Sequence, residues 1–67
     1  MSKSFEIIER VGISNDSVSD AIKKVVMEAK TEQGVSWFEV KEQRGRVTHD
    51  DKLEFQVTVK IGRKIKD

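Results

Sequence analysis

The chain has 67 residues, with 13 basic and 12 acidic side chains, a net charge of +1, one histidine and no cysteine. That composition excludes disulfides, thiolate zinc sites and thiol catalysis, and it lacks the strong field of a dedicated nucleic-acid binder. A domain this small buries little surface by itself, so oligomerisation is the support that remains to it.

The segment from Phe5 to Val11 reads FEIIERV, is rich in β-formers and is followed by Gly12. It predicts a first strand. Val18, Ala21, Ile22, Val25, Val26 and Ala29 then trace one face of a 3.6-residue period and predict a helix. Ser14 or Asn15 suits its N-cap, Asp16 and Asp20 suit its positive start, and Gly34 suits its end. After Gly34 the period falls to two. Phe38 and Val40 point one way, and Trp37, Glu39 and Lys41 the other. In the last strand Leu53, Phe55, Val57, Val59 and Ile61 share a face, with Glu54, Gln56, Thr58 and Lys60 opposite. The polar run at 48–52 predicts a hairpin turn, with His49 exposed in it. Lys60, Arg63, Lys64 and Lys66 read as a solvated basic end. No apolar run nears the ~20 residues of a membrane helix, and the start lacks the apolar core of a signal peptide, so the expected location is cytoplasmic.

These elements predict one α+β domain over residues 1–67, of order β-α-β-β. A right-handed crossover makes the first two strands parallel, and the last strand fits between them in the spatial order 1-3-2. The helix is expected to cover Phe38, Val40, Phe55, Val57 and Val59. The other face carries Trp37, Glu39, Gln56 and Thr58, and a large aromatic there needs a subunit or a ligand to cover it. With the turn at 48–52, Gln56 pairs near 43 or 44 and Trp37 near 62 or 63. The two side chains then stand about 20 Å apart at ~3.3 Å per residue, unless a bulge near Gly45 shifts the register. One flat ligand does not reach both within a single chain.

Trp37-Phe38-Glu39-Val40 with Arg44-Gly45 resembles the W-F-E-V-x-x-x-R-G segment of bacterial dodecins. Phe55-Gln56-Val57 with Ile61-Gly62 is similar to their aromatic-Gln-Val and V-G segment, and Val11-Gly12 with Ser14 is similar to their V-G-x-S turn. The resemblance runs from about Val11 to Gly62. It implies a homododecameric shell of cubic symmetry, with paired flavins stacked between tryptophans of two-fold-related subunits. Trp37 carries over as the stacking residue, Gln56 as the contact to the ring edge, and Arg44 as a phosphate contact that favours FMN over riboflavin.

The residue types suit those roles. Indole offers the largest flat surface for stacking, worth ~1–3 kcal/mol per ring by analogy with base stacking. A glutamine amide both donates and accepts, as the pyrimidine edge of a flavin requires, whereas an ionised glutamate only accepts. Arg44 can hold a phosphate through two charge-assisted bonds.

The function expected is non-enzymatic flavin storage and photoprotection. No nucleophile–base pair or metal constellation accompanies Trp37, and Asp50 with Asp51 is far short of a calcium cage. The alternative is an oligomeric scaffold that has lost or changed its ligand. Its support is Arg63-Lys64, where the family commonly has an aromatic followed by arginine. A nucleic-acid role is disfavoured by the single exposed aromatic and the near-neutral charge.

Overall fold

A computed structural model describes residues 4–65; Lys66 of the basic end lies outside them. β1 (Ser4–Ser14), α1 (Val18–Gln33), β2 (Trp37–Val47) and β3 (Leu53–Ile65) follow in chain order. The sheet has the order β1-β3-β2, with both outer strands antiparallel to β3, so β1 and β2 run parallel as expected.

The helix forms where the apolar stripe predicts it. Ala21, Val25 and Ala29 are buried against Val57, Val59 and Ile61, with Ile8, Val18, Ile22, Val26 and Val35 packed around them. Burying each valine or isoleucine contributes ~1.5–3 kcal/mol, the main favourable term in so small a core. Gly34 ends the helix at φ 89°, a conformation that an L side chain resists, and its N–H reaches the Lys30 carbonyl at 3.0 Å.

The start of the helix differs from the expectation. Ser17 is the N-cap, its hydroxyl accepting from the Asp20 N–H at 2.9 Å. Ser14 braces the turn from the end of β1. It is buried, accepts from the Asp16 N–H at 2.9 Å and donates to Asp20 Oδ2 at 2.6 Å. The side chain expected to cap the helix thus caps the turn before it.

β1 does not stop before Gly12. The strand runs through to Ser14, with Gly12 opposite Val57 on the helix side. A Cβ at Gly12 would lie 2.5 Å from the Ala21 carbonyl oxygen and 3.0 Å from Val25 Cβ. The glycine marks a close helix–strand crossing rather than a strand end.

Nor does the helix cover the whole sheet. Sixteen residues at ~1.5 Å make about 24 Å of helix, whereas thirteen residues of β3 at ~3.3 Å make about 43 Å. The β2–β3 hairpin therefore projects beyond the helix, and the molecule is 54 Å long. Val47 and Leu53 remain exposed on the projecting part, and Phe38, expected in the core, is half exposed beside Ile22, Val26 and Met27 in a shallow apolar groove.

Arg63 is not part of a solvated tail. β3 extends to Ile65, and Arg63 is 6% exposed, donating from Nε to Glu6 Oε1 at 2.9 Å. Its Nη1 is buried with no hydrogen-bond partner among the described residues. An unpaired buried donor costs about 1–3 kcal/mol, which the packing of the aliphatic stem only partly offsets. Arg63 and Lys64 alternate across the strand, and it is the exposed Lys64 that points away from the helix.

On the helix side of β1, Arg10 pairs with Glu28 and Glu32 of α1. The Arg10 hydrogen bond holds the Glu32 carboxyl below its ordinary range, and the Ser14 hydroxyl, then Lys24, does the same for Asp20. Lowered folded-state values stabilise the fold above the ordinary pKa values of 4.5 and 3.8, and this contribution is lost as pH falls through the folded values. The urea midpoint is expected to be nearly flat from about pH 7 to 5 and to fall below about pH 4. Replacing Glu32 by glutamine should flatten that acid limb.

Candidate functional site

The hairpin register places Trp37 opposite Gly62 and Arg44 opposite Gln56. Both pairings agree with the turn-based expectation. Trp37 and Arg44 are seven positions apart, an odd offset that in an unbroken strand would put them on opposite faces. A β-bulge between Val40 and Glu42 absorbs Lys41 and reverses the phase of everything after it. Arg44 thereby joins Trp37 and Gln56 on the face away from the helix. The bulge lies at Lys41, not near Gly45, and no local sequence signal marks it. Lys41 Nζ reaches Glu9 Oε2 of β1 at 2.9 Å, and this hydrogen bond holds the Glu9 carboxyl below its ordinary range.

Two rows of side chains result. At one end Ile7, Gly62 and Trp37 lie side by side across β1, β3 and β2; at the other end Ile13, Gln56 and Arg44 do so. The rows are six positions apart on β3, about 20 Å at ~3.3 Å per residue.

The indole of Trp37 lies across Gly62. A Cβ at that glycine would overlap Cε2 and Cζ2 of the ring. Trp37 keeps 39% of its surface exposed, so a flat apolar area stays open on the sheet. Gly62→Ala would have to push the indole aside, which a flexible side chain can do at modest cost. The expected result is a small change in melting temperature with a large change in tryptophan emission and in any stacking on Trp37. A thermal melt and an emission spectrum check this.

At the second row the Gln56 amide donates from Nε2 to Glu54 Oε1 at 3.4 Å, and Glu54 accepts from Arg46 Nε at 2.8 Å. Arg46, and secondarily Gln56, holds the Glu54 carboxyl below its ordinary range. Arg44 does not reach Glu39 or Glu54. Among the described residues its exposed guanidinium makes one long contact, 3.4 Å to Glu42 Oε1, which leaves other donors available.

The same face holds residues that the sequence reading did not single out. Phe5, Ile7, Val11 and Ile13 of β1 are all about half exposed there, beside Glu9. Their alternation is visible in the sequence once β1 is allowed to run past Gly12. An apolar row of this kind on an uncovered sheet face marks a surface that another body covers.

His49 is exposed in the hairpin turn. No group of three or more His, Cys, Asp or Glu among the described residues could hold a metal ion, and none of their helices is long and apolar enough to cross a membrane.

A profile of the dodecin family matches residues 5–66. A dodecin from Thermus thermophilus is 34% identical over 68 aligned residues, which cover 100% of this chain and 99% of the relative. Among solved structures, dodecin from Streptomyces davaonensis matches with a TM-score of 0.86 at 28% identity, covering 100% of both chains. An arginine-to-alanine mutant of T. thermophilus dodecin matches with a TM-score of 0.86 at 30% identity, covering 98% of each chain. The chain belongs to the dodecin family of small flavin-binding proteins.

Proposed function

We propose that this chain binds a flavin, FMN in preference to riboflavin, at sites completed only when subunits assemble into a dodecameric shell. Its role is to store the cofactor and shield it from light, not to catalyse a reaction. The observation that carries this reading is the half-exposed indole laid across Gly62, on the same face as Gln56 and Arg44 but about 20 Å from them at ~3.3 Å per residue.

The residues fit the group. Trp37 offers a flat surface for an isoalloxazine, Gln56 offers both a donor and an acceptor to its pyrimidine edge, and the exposed Arg44 offers donors to a phosphate. Because the two rows are far apart, the ring that stacks on Trp37 of one subunit takes its polar contacts from another. A bound flavin supplies a redox-active, light-absorbing ring. With the ring bound, Trp37 would cover one face of it, exclude water and a second substrate, and serve as the electron donor that quenches its excited state. The apolar row Phe5, Ile7, Val11 and Ile13 supports assembly, since it leaves a face that a single subunit does not cover.

Titration of the purified protein with FMN tests this. Flavin emission is expected to be quenched on binding, and a saturating signal should be reached with Arg44→Ala weakening FMN more than riboflavin. Unchanged flavin and tryptophan fluorescence throughout the titration would overturn the reading.

A further inference from the structure

Gln56 is not a free amide. Its neighbour two positions back on the same strand face, Glu54, accepts from Nε2 at Oε1 over 3.4 Å, and Arg46 Nε donates to that same oxygen at 2.8 Å. Arg46 is directly opposite Glu54 in the ladder, as Arg44 is opposite Gln56. The Glu54 side chain is mostly buried, at 18% exposure, while that of Arg46 is open at 61%. An ionised carboxylate can only accept hydrogen bonds. Facing Glu54, the amide must therefore present its NH2 end and turn its carbonyl away, because the reverse orientation sets two acceptors against each other.

From this we infer that Glu54, anchored by Arg46, is a positioning residue that fixes the orientation of the Gln56 amide and so selects ligands with an N–H donor flanked by a carbonyl. The inference rests on the flavin reading above and names the feature of the ring that Gln56 recognises. One Nε2 hydrogen goes to Glu54. The other and Oε1 are left as a donor–acceptor pair, which matches the imide edge of a flavin, where an N–H sits beside a C=O. A ring with that hydrogen replaced by methyl leaves Oε1 without a donor. The amide does not recover by rotating while Glu54 is ionised. With the carboxylate gone, it can turn its NH2 toward the ring carbonyls instead.

Riboflavin and N3-methylriboflavin separate this from a merely structural role. The wild-type assembly is expected to bind riboflavin at least about tenfold more tightly than its N3-methyl derivative, since a site built around a hydrogen bond rejects the analogue that lacks it. In Glu54→Gln, of nearly equal volume, the ratio of the two dissociation constants should shrink to roughly two- or threefold, because a glutamine can satisfy the Gln56 amide either way round. Arg46→Gln, at an exposed position, should move the ratio in the same direction by less, and serves if Glu54→Gln does not assemble. A change in packing alone would weaken both ligands in parallel and leave the ratio untouched. An unchanged ratio in variants that bind riboflavin overturns the role of Glu54 and leaves the flavin reading standing. Equal wild-type affinity for the two ligands does the same. Failure of the wild type to bind riboflavin overturns both.

Discussion

Trp37→Ala is expected to raise the dissociation constant for FMN by about 5- to 150-fold, from the ~1–3 kcal/mol that one stacked aromatic contributes. What binding remains should leave the flavin fluorescent, because the quenching electron donor has gone. Trp37→Phe should fall between, keeping a stacking surface of smaller area. The assembly itself should persist in both, since the indole rests on Gly62 and outside the buried core of Val57, Val59 and Ile61. Fluorescence titration alongside a sizing measurement separates the two effects. Loss of assembly together with loss of binding would assign Trp37 to an ordinary subunit contact.

Gly12→Ala is expected to be the most damaging single substitution for the fold. The new methyl carbon would lie 2.5 Å from a backbone oxygen of the helix and 3.0 Å from Val25 Cβ. Unlike the indole over Gly62, a helix backbone has no rotamer to adopt, so α1 would have to lift off the sheet. Overpacking of this kind costs about 1–3 kcal/mol and sometimes more. In a domain this small each kcal/mol lowers the melting temperature by roughly 4–8 °C. The thermal midpoint should therefore fall by on the order of 10 °C, or the chain should fail to accumulate in soluble form. The contrast with Gly62→Ala is the sharper check. Two glycines of the same sheet should give opposite outcomes, one losing stability and the other losing the binding surface.

Much of this was legible in the residues. The stripe Val18–Ala21–Ile22–Val25–Val26–Ala29 and the strict alternation of β3 follow from periods that side-chain burial enforces, and both appear in the fold as expected. Hairpin register followed from the turn at 48–52, and that placed Trp37 near Gly62 and Gln56 near Arg44. Other features did not follow, among them the Ser17 cap and the half-exposed Phe38. The bulge at Lys41 depends on how β2 curves along β3, a tertiary property with no local signature, yet it decides that Arg44 shares a face with Trp37. Gly12 read as a stop because glycine usually punctuates a strand; here it admits the helix backbone. Arg63 read as solvated because charged residues usually are, but its Glu6 partner is 57 residues away in sequence and invisible to a local pattern. With Arg63 buried on the helix side, that half of the Arg63-Lys64 departure from the family pattern lies on the opposite side of the sheet from Trp37, Arg44 and Gln56, whereas Lys64 shares their face.

A flavin site divided between rows about 20 Å apart at ~3.3 Å per residue should form only on assembly. Sedimentation of the FMN-loaded protein over a dilution series, followed at both protein and flavin wavelengths, tests it most directly. Flavin absorbance should travel only with the assembled species and appear as free ligand in step with the appearance of monomer. Flavin absorbance travelling with the monomer would contradict the claim, because it would mean that one subunit holds the ring without the polar contacts of another.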